Sequence, residues 1–263
     1  MRIAVFVVAL IVVGSCALAQ GVGGLGLDVT PVKSDLKLAP GARYNLGMTV
    51  GNSSGSSVHV VVTPNDFRVT VKGDYEFLKV GESPYSLMKY ASINPREFDL
   101  VPGGSQRVRV TFALPSAEPP LSGEYAGVVF FETRPPRGAH AVLNFAARIA
   151  SKIYSVVPGT AKVLGEIENF TVARAPSGQQ VYTVTFKDRG NVHEYIKGYV
   201  EVRQQGNAIE KIMLPTDALV ERGGSRILSA DGKILPPGEY DAIAAVDYGA
   251  PTLVAGAVKF TVK

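Results

Sequence analysis

The chain has 263 residues, enough for one large domain or two small ones, and 46% of them are hydrophobic while 19% are charged, which excludes disorder throughout. Its formal net charge is only +4, from 27 Lys and Arg against 23 Asp and Glu, without a basic cluster, so nothing in the sequence points to a nucleic-acid partner. The 28 glycines and 17 prolines indicate many turns.

The first residues have the pattern of a secretory signal peptide. Arg2 is followed by an apolar run over residues 3–13 and by Ala17-Leu18-Ala19, an A-x-A cleavage site. The apolar run is too short to span a membrane. We therefore expect residues 1–19 to be removed after Ala19 and the protein to be periplasmic or on the cell surface.

Cys16 offers an alternative at the same place. Residues 12–16, VVGSC, resemble a bacterial lipobox, in which Cys16 would be lipidated; otherwise Cys16 is a small apolar residue in the tail of the signal. It is the only cysteine, so no disulfide is possible. An exported chain of this kind must be held together by core burial and strand pairing.

Strand patterns dominate the rest of the chain. Alternating or continuous apolar runs bounded by turn residues predict strands over residues 25–30, 44–50, 58–62, 67–71, 75–80, 106–114, 125–132 and 142–157. Residues 86–92 could form one or two helical turns at most. The predicted fold class is all-β, built as antiparallel sandwiches.

The two halves of the chain carry similar features in the same order. Gly-Gly-Ser, Pro-Pro and Gly-Glu-Tyr occur at residues 103–105, 119–120 and 123–125, and again at 223–225, 236–237 and 238–240. Each Gly-Glu-Tyr resembles the tyrosine corner of immunoglobulin-like sandwiches. We therefore predict two immunoglobulin-like domains in tandem, residues 20–158 and residues 159–263.

Four segments carry a resemblance to a known family. Residues 27–31, 38–41, 92–103 and 148–158 together resemble the N-terminal domain of PapD-like periplasmic pilus-assembly chaperones, which have two immunoglobulin-like domains. The turn at residues 191–193 and the strand at residues 123–127 look similar to related two-domain, WxL-associated bacterial surface proteins.

The resemblance implies a site for a partner polypeptide. In those chaperones the last strand of the first domain lends alternating apolar residues to an incomplete subunit, and two basic residues in the inter-domain cleft grip the carboxylate of the subunit. The matching strand here carries Leu143, Phe145, Ala147, Ile149 and Ile153 on one face, with Arg148 on the other. Lys152 resembles the lysine anchor. The arginine position holds Pro31, with Lys33 two residues on.

The same residues have a plainer interpretation. An alternating strand is ordinarily core on one side and solvent on the other, and Arg148 and Lys152 would then lie on a solvated face. Sequence reasoning leaves strand donation and ordinary packing both open.

Catalytic and metal-binding patterns are weak. Residues 51–55, GNSSG, have nucleophile-elbow spacing around Ser53, but a strand follows where that elbow needs a helix. His59, His140 and His193 have no second ligand at metal spacing, and Glu166 and Glu168 look like ordinary surface. We expect no enzyme activity, no cofactor, no metal and no small-molecule substrate.

The leading functional hypothesis is a non-enzymatic, exported, chaperone-like protein. It would capture a partner, an exported subunit of a pilus or surface structure, by strand pairing at an edge or in the inter-domain cleft. The alternative is a structural or adhesion protein of the cell surface that binds peptidoglycan of the cell wall or another surface protein.

Overall fold

The computed structural model describes residues 26–116, 121–134 and 147–263. Every regular element within them is a strand, apart from one 3-10 turn at Met88–Tyr90 inside the segment expected to be briefly helical. The predicted all-β class is confirmed. None of the described helical residues forms a segment long and apolar enough to cross a membrane. The predicted signal and Cys16 lie outside the described residues.

Ten strands belong to the described part of the first domain. They are β1 (Leu27–Thr30), β2 (Lys33–Lys37), β3 (Arg43–Asn52), β4 (Val58–Val69), β5 (Tyr75–Leu78), β6 (Ala91–Asn94), β7 (Glu97–Leu100), β8 (Ser105–Ala113), β9 (Glu124–Arg134) and β10 (Arg148–Val156). One sheet has the order β1-β3-β8-β6, and the other has the order β2-β10-β9-β4-β5 with β7 also beside β4. Every pair is antiparallel except β2 with β10, which is parallel.

The core of this domain follows from the period-2 pattern of its strands. In β8, Val108, Val110 and Phe112 are fully buried, whereas Arg107, before the first of them, and Arg109, between the first two, are exposed. Burying each of these apolar side chains contributes about 2 kcal/mol, so one such strand supplies a large share of a domain's stability.

Strand β4 differs from the prediction. Residues 58–62 and 67–71 were expected to be separate strands, but residues 58–69 form one strand that pairs with β9. Pro64, which lacks an amide hydrogen, lies between the stretch paired with β7 and the stretch paired with β5. A proline is therefore accommodated without ending the strand.

The start of the described chain changes sheets. Strand β1 pairs with β3 in one sheet, and after Pro31 and Val32 the chain continues as β2 in the other sheet. This crossing places β2 against the last strand of the domain, β10.

Eight strands form the second domain. They are β11 (Gly165–Arg174), β12 (Gln180–Asp188), β13 (Glu194–Gln204), β14 (Asn207–Met213), β15 (Ala218–Val220), β16 (Ser225–Asp231), β17 (Gly238–Asp247) and β18 (Val254–Val262). They make a sheet β11-β12-β16 and a sheet β14-β13-β17-β18 with β15 beside β13. The hydroxyl of Tyr240 donates to the carbonyl oxygen of Pro236 at 2.8 Å, the tie expected of a tyrosine corner.

The molecule is thus a tandem pair of immunoglobulin-like β-sandwiches, as predicted. Strand β10 ends at Val156 and β11 begins at Gly165. The predicted division between residues 158 and 159 falls in this connection and stays a prediction.

Candidate functional site

Two lysines lie side by side where the first domain meets the second. The parallel register of β2 and β10 puts Lys33 opposite Lys152. Paired residues point to one face of a sheet, and Ile153 on the other face is buried in the core, so both ammonium groups lie on the outer face. The Nζ atom of Lys33 is 5.1 Å from the ring centroid of Tyr195, a residue of the second domain.

Aromatic and acidic neighbours hold these lysines. The Nζ atom of Lys152 donates to the hydroxyl of Tyr75 at 2.9 Å, and the Nζ atom of Lys33 is 3.3 Å from Oδ2 of Asp35. Partial burial lowers the pKa of Lys33, but attraction to Tyr195 and Asp35 outweighs it, so the pKa is raised. Lys33 is therefore charged at neutral pH and can attract an anionic group.

Aromatic side chains cover the same outer face. We call them the aromatic floor: Phe67, Tyr75, Phe77, Phe130 and Tyr154. Phe67, Phe130 and Tyr154 are buried, whereas Tyr75 is 37% and Phe77 45% exposed. The guanidinium carbon of Arg148 is 3.7 Å from the ring centroid of Phe130. An exposed apolar surface bordered by cations is characteristic of a binding surface.

The opposite face of β10 packs into the first domain. Ala147 is 2% exposed, Ile153 is fully buried, and Ile149 is half-buried against the same core. Leu143 and Phe145 lie outside the described residues. The described apolar positions of this strand are therefore ordinary core, and a partner-binding role for Ala147 and Ile149 stays a prediction.

One edge of β10 is open within the described chain. The amide of Lys152 donates to the carbonyl oxygen of Val32 at 3.0 Å, and β2 pairs with β10 only from Lys152 onward. Along a strand, the backbone N–H and C=O groups of successive residues point alternately to the two edges. Those of Arg148 and Ala150 therefore point away from β9, to the same edge as those of Lys152. No described strand pairs with them there, and they could accept an added strand.

Hydrogen bonds join the two domains beside this site. Oε2 of Glu124 is 2.6 Å from Nδ1 of His193, and the His193 amide donates to Oε1 of Glu124. Nη1 of Arg222 donates to the carbonyl oxygens of Ser122 and Glu124, at 3.0 and 2.9 Å. Because Glu124 is only 4% exposed, this carboxyl group is shielded and its contacts fix the junction.

Further contacts extend the junction along β4 and the turn after it. The amide of Val69 donates to Oε2 of Glu221 at 2.8 Å, and the amide of Ile227 donates to the carbonyl oxygen of Val71 at 2.8 Å. Both bonds link backbone of one domain to the other, so the hairpin that carries part of the aromatic floor is tied to the second domain.

Sequence reasoning missed the junction. It interpreted Glu124 only as part of a tyrosine corner and His193 as a turn histidine, and it assigned nothing to Arg222 or Glu221. The available signal was an acidic residue at the first position of β9, a strand that continues with a nearly unbroken apolar run.

The residues considered for chemistry are dispersed. Ser53 lies in the turn between β3 and β4, as expected, and the Nδ1 atom of His59 lies 2.8 Å from Oδ1 of Asp99 in an exposed pair. No group of three or more His, Cys, Asp or Glu in the described ranges is arranged to hold a metal ion. His140 lies outside those ranges.

Comparisons with known proteins identify the fold. No family model and no curated protein matches the sequence. The chain is similar to the class 5 fimbriae chaperone CfaA, with 12% identity over 88% of this chain and 98% of that one and a TM-score of 0.51. A structure of a chaperone–tip adhesin complex of CFA/I fimbriae biogenesis matches with 12% identity, coverages of 88% and 97%, and a TM-score of 0.51.

The chain therefore has the PapD-like fold, two immunoglobulin-like sandwiches in tandem, and the resemblance seen in the sequence is confirmed at the level of the fold. The similarity to WxL-associated surface proteins stays a prediction.

Proposed function

We propose that this protein is an exported, non-enzymatic, chaperone-like protein that captures a partner polypeptide, a subunit of a pilus or another surface structure. The observation that carries the proposal is the alignment of an open strand edge at Arg148 and Ala150 with the ammonium groups of Lys33 and Lys152. An extended chain could add to the edge through its backbone, and its terminal carboxylate could meet the lysines.

We also propose that the protein is exported and that its two domains have the limits predicted from the sequence. Residues 1–19 act as the signal, with lipidation at Cys16 as the alternative, and residues 20–158 and 159–263 are the two domains. The proposed partner contacts include Leu143 and Phe145, which lie outside the described residues.

The lysine pair is expected to select peptides that end in a free carboxylate. A short peptide of alternating Val and Thr serves as the probe, with either a free C-terminal carboxylate or a C-terminal amide. Replacing both lysines, Lys33→Met and Lys152→Met, keeps their apolar stems. It should lower the preference for the carboxylate form by about tenfold, since a charged hydrogen bond contributes about 1.5–3 kcal/mol. Isothermal titration calorimetry measures both affinities.

Lys211→Met is the matched control, because the Nζ atom of Lys211 also lies over an aromatic ring, that of Tyr199 at 3.8 Å, but in the second domain. This variant should keep the preference. Equal affinity of the unmodified protein for both peptides would contradict the carboxylate grip. Sedimentation with purified cell wall, unaffected by the lysine replacements, would favour the structural surface role.

We expect peptide binding at the open edge of β10 to require the backbone amide of Ala150. Ala150→Pro removes that donor without removing a bond to β9, and an edge position accepts proline. Binding of the Val-Thr peptide should fall at least about fivefold, as the loss of one hydrogen bond costs about 1 kcal/mol. Fluorescence anisotropy of a labelled peptide gives the affinity.

Ala150→Ser keeps the amide and a similar volume and should bind as the unmodified protein does. Circular dichroism checks that both variants are folded. If a folded Ala150→Pro variant bound the peptide with unchanged affinity, capture along this edge would be wrong.

A further inference from the structure

A cavity lies at the junction of the domains, and Tyr154 forms part of its wall. The cavity has a volume of about 220 Å³. It is lined by residues of both domains: Phe67, Arg68, Leu78, Glu82, Ser83, Pro84, Tyr85, Glu124, Ala126, Tyr154, Glu221 and Arg222. The volume suffices for the end of a long side chain or a small organic ion.

The basic groups of this cavity are already engaged. The guanidinium of Arg68 pairs with Glu76, whose Oε2 atom is 2.5 Å from Nε. That of Arg222 donates to two carbonyl oxygens and lies 3.8 Å from the ring centroid of Tyr85. Three carboxyl groups, those of Glu82, Glu124 and Glu221, share the cavity with these two cations. Glu124 is already paired with His193, so Glu82 and Glu221 are the carboxyl groups of the cavity without an ion pair in the described chain, and they favour a positive ligand.

Glu221 has no ion-pair partner among the described residues; the same holds for Glu82, but Glu82 is exposed to solvent. The one hydrogen-bond donor to Glu221 in the described chain is the amide of Val69, and no basic side chain there lies within ion-pair distance of it. Burial raises the pKa of Glu221 to about 7, with nearby Glu124 adding to the rise. The Val69 amide and the charges of His193 and Arg68, which lie beyond ion-pair distance, oppose this rise in the pKa. A cation placed beside this carboxylate would offset that desolvation.

A second polar group of the cavity lacks a partner independently of Glu221. Tyr154 is 2% exposed, and its hydroxyl makes no hydrogen bond with any described residue. Buried hydroxyl groups ordinarily have a hydrogen-bond partner, and this oxygen is free to bond with a ligand in the cavity. Tyr154 and Phe67 also supply aromatic surface, which attracts cations.

We infer that this cavity binds an alkylammonium or guanidinium group, held by the Glu221 carboxylate and the Tyr154 hydroxyl between aromatic rings. The group could belong to a lysine or arginine side chain of a bound polypeptide, or to a free amine. This goes beyond the proposed capture of a strand and a carboxylate, because it uses neither Lys33 nor Lys152.

The test titrates n-butylammonium into the full mature protein and follows the backbone amide signal of Val69 by NMR, with n-butanol and butyrate as neutral and anionic analogues. The ammonium ion should give a saturable shift and the analogues none. Glu221→Gln, which keeps the acceptor for the Val69 amide, should weaken binding by about tenfold or more. Glu168→Gln, at an exposed position of β11, should leave it unchanged.

Tyr154→Phe is the second variant, because it removes only the unpartnered hydroxyl and should fold at least as well. It should weaken ammonium binding a few-fold. No saturable shift, or an equal shift with n-butanol, would overturn the inference and leave water as the occupant. The Val-Thr probe of the capture test contains no basic residue, so the two proposals can fail separately.

The blocked peptides acetyl-Ala-Arg-Ala-amide and acetyl-Ala-Gln-Ala-amide distinguish the sources of the cation. Tighter binding of the arginine peptide than of n-butylammonium, lost in Glu221→Gln, supports a side chain of a polypeptide. Tighter binding of the free ion supports a small amine.

Discussion

Gly123→Ala should destabilise the contact between the two domains by about 3 kcal/mol. Gly123 has a φ of +70°, where an L side chain costs about 1–2 kcal/mol. A Cβ atom there would also lie 2.6 Å from the carbonyl oxygen of Asn191 in the second domain, and forced overpacking adds about 1–3 kcal/mol. The free energy of unfolding, from urea titration, should fall, and calorimetry should show the domains unfolding in separate steps.

Gly103→Ala separates the two costs. Gly103 has nearly the same φ, +71°, but nothing lies within 4 Å of the added Cβ atom. This variant should therefore lose only about 1–2 kcal/mol and keep the domains coupled. Equal losses in the two variants would mean that the Asn191 contact does not constrain the junction.

Glu194→Gln should stabilise the protein at alkaline pH by about 4 kcal/mol, since each unit of pKa difference corresponds to about 1.4 kcal/mol. Glu194 is 4% exposed, and neither carboxyl oxygen has a hydrogen-bond partner among the described residues. Burial, together with the nearby carboxyl group of Asp188, raises the pKa of Glu194 from 4.5 to about 8. Between these values the folded state binds the proton more tightly than the unfolded state does, so stability falls as pH rises from about 4.5 to about 8.

The glutamine variant removes this titration while keeping a neutral side chain of the same size. Its free energy of unfolding should equal that of the unmodified protein near pH 4.5 and exceed it near pH 8, where the Glu194 carboxyl is losing its proton. Glu168→Gln, on the surface of β11, should follow the unmodified protein at every pH. Stability curves that stay parallel across the range would show that Glu194 is not titrating in this way.

The strands and the core could be predicted because they depend on local alternation. Val108, Val110 and Phe112 are buried as their period-2 spacing requires, and the 3-10 turn lies inside the short segment expected to be helical. Residues 58–62 and 67–71 were expected to be separate strands, since the sequence does not show that the single strand β4 accommodates Pro64. The switch of β1 and β2 between sheets likewise depends on pairing across the fold.

The candidate site was only partly predictable. Lys152 and Lys33 were found through a family resemblance, and their pairing follows from the register of β2 with β10. Glu124, His193 and Glu221 come together only because two domains meet, and no spacing within one domain encodes that contact. The predicted alternation of residues between the two faces of β10 is correct. It could not distinguish a strand that lends its apolar side chains to a partner from a strand that packs on the core of its own domain.

The open edge of β10 has a consequence for the behaviour of the protein in concentrated solution. If two copies met edge to edge in an antiparallel arrangement centred on Arg148, within the stretch that β2 leaves open, the Arg148 side chains of the two copies would stand directly opposite each other. Like charges directly opposite destabilise such a ladder, and basic residues on exposed edges are a common protection against aggregation. Charge repulsion therefore disfavours pairing of this edge with a second copy, while the edge stays available to a chain that brings negative charge.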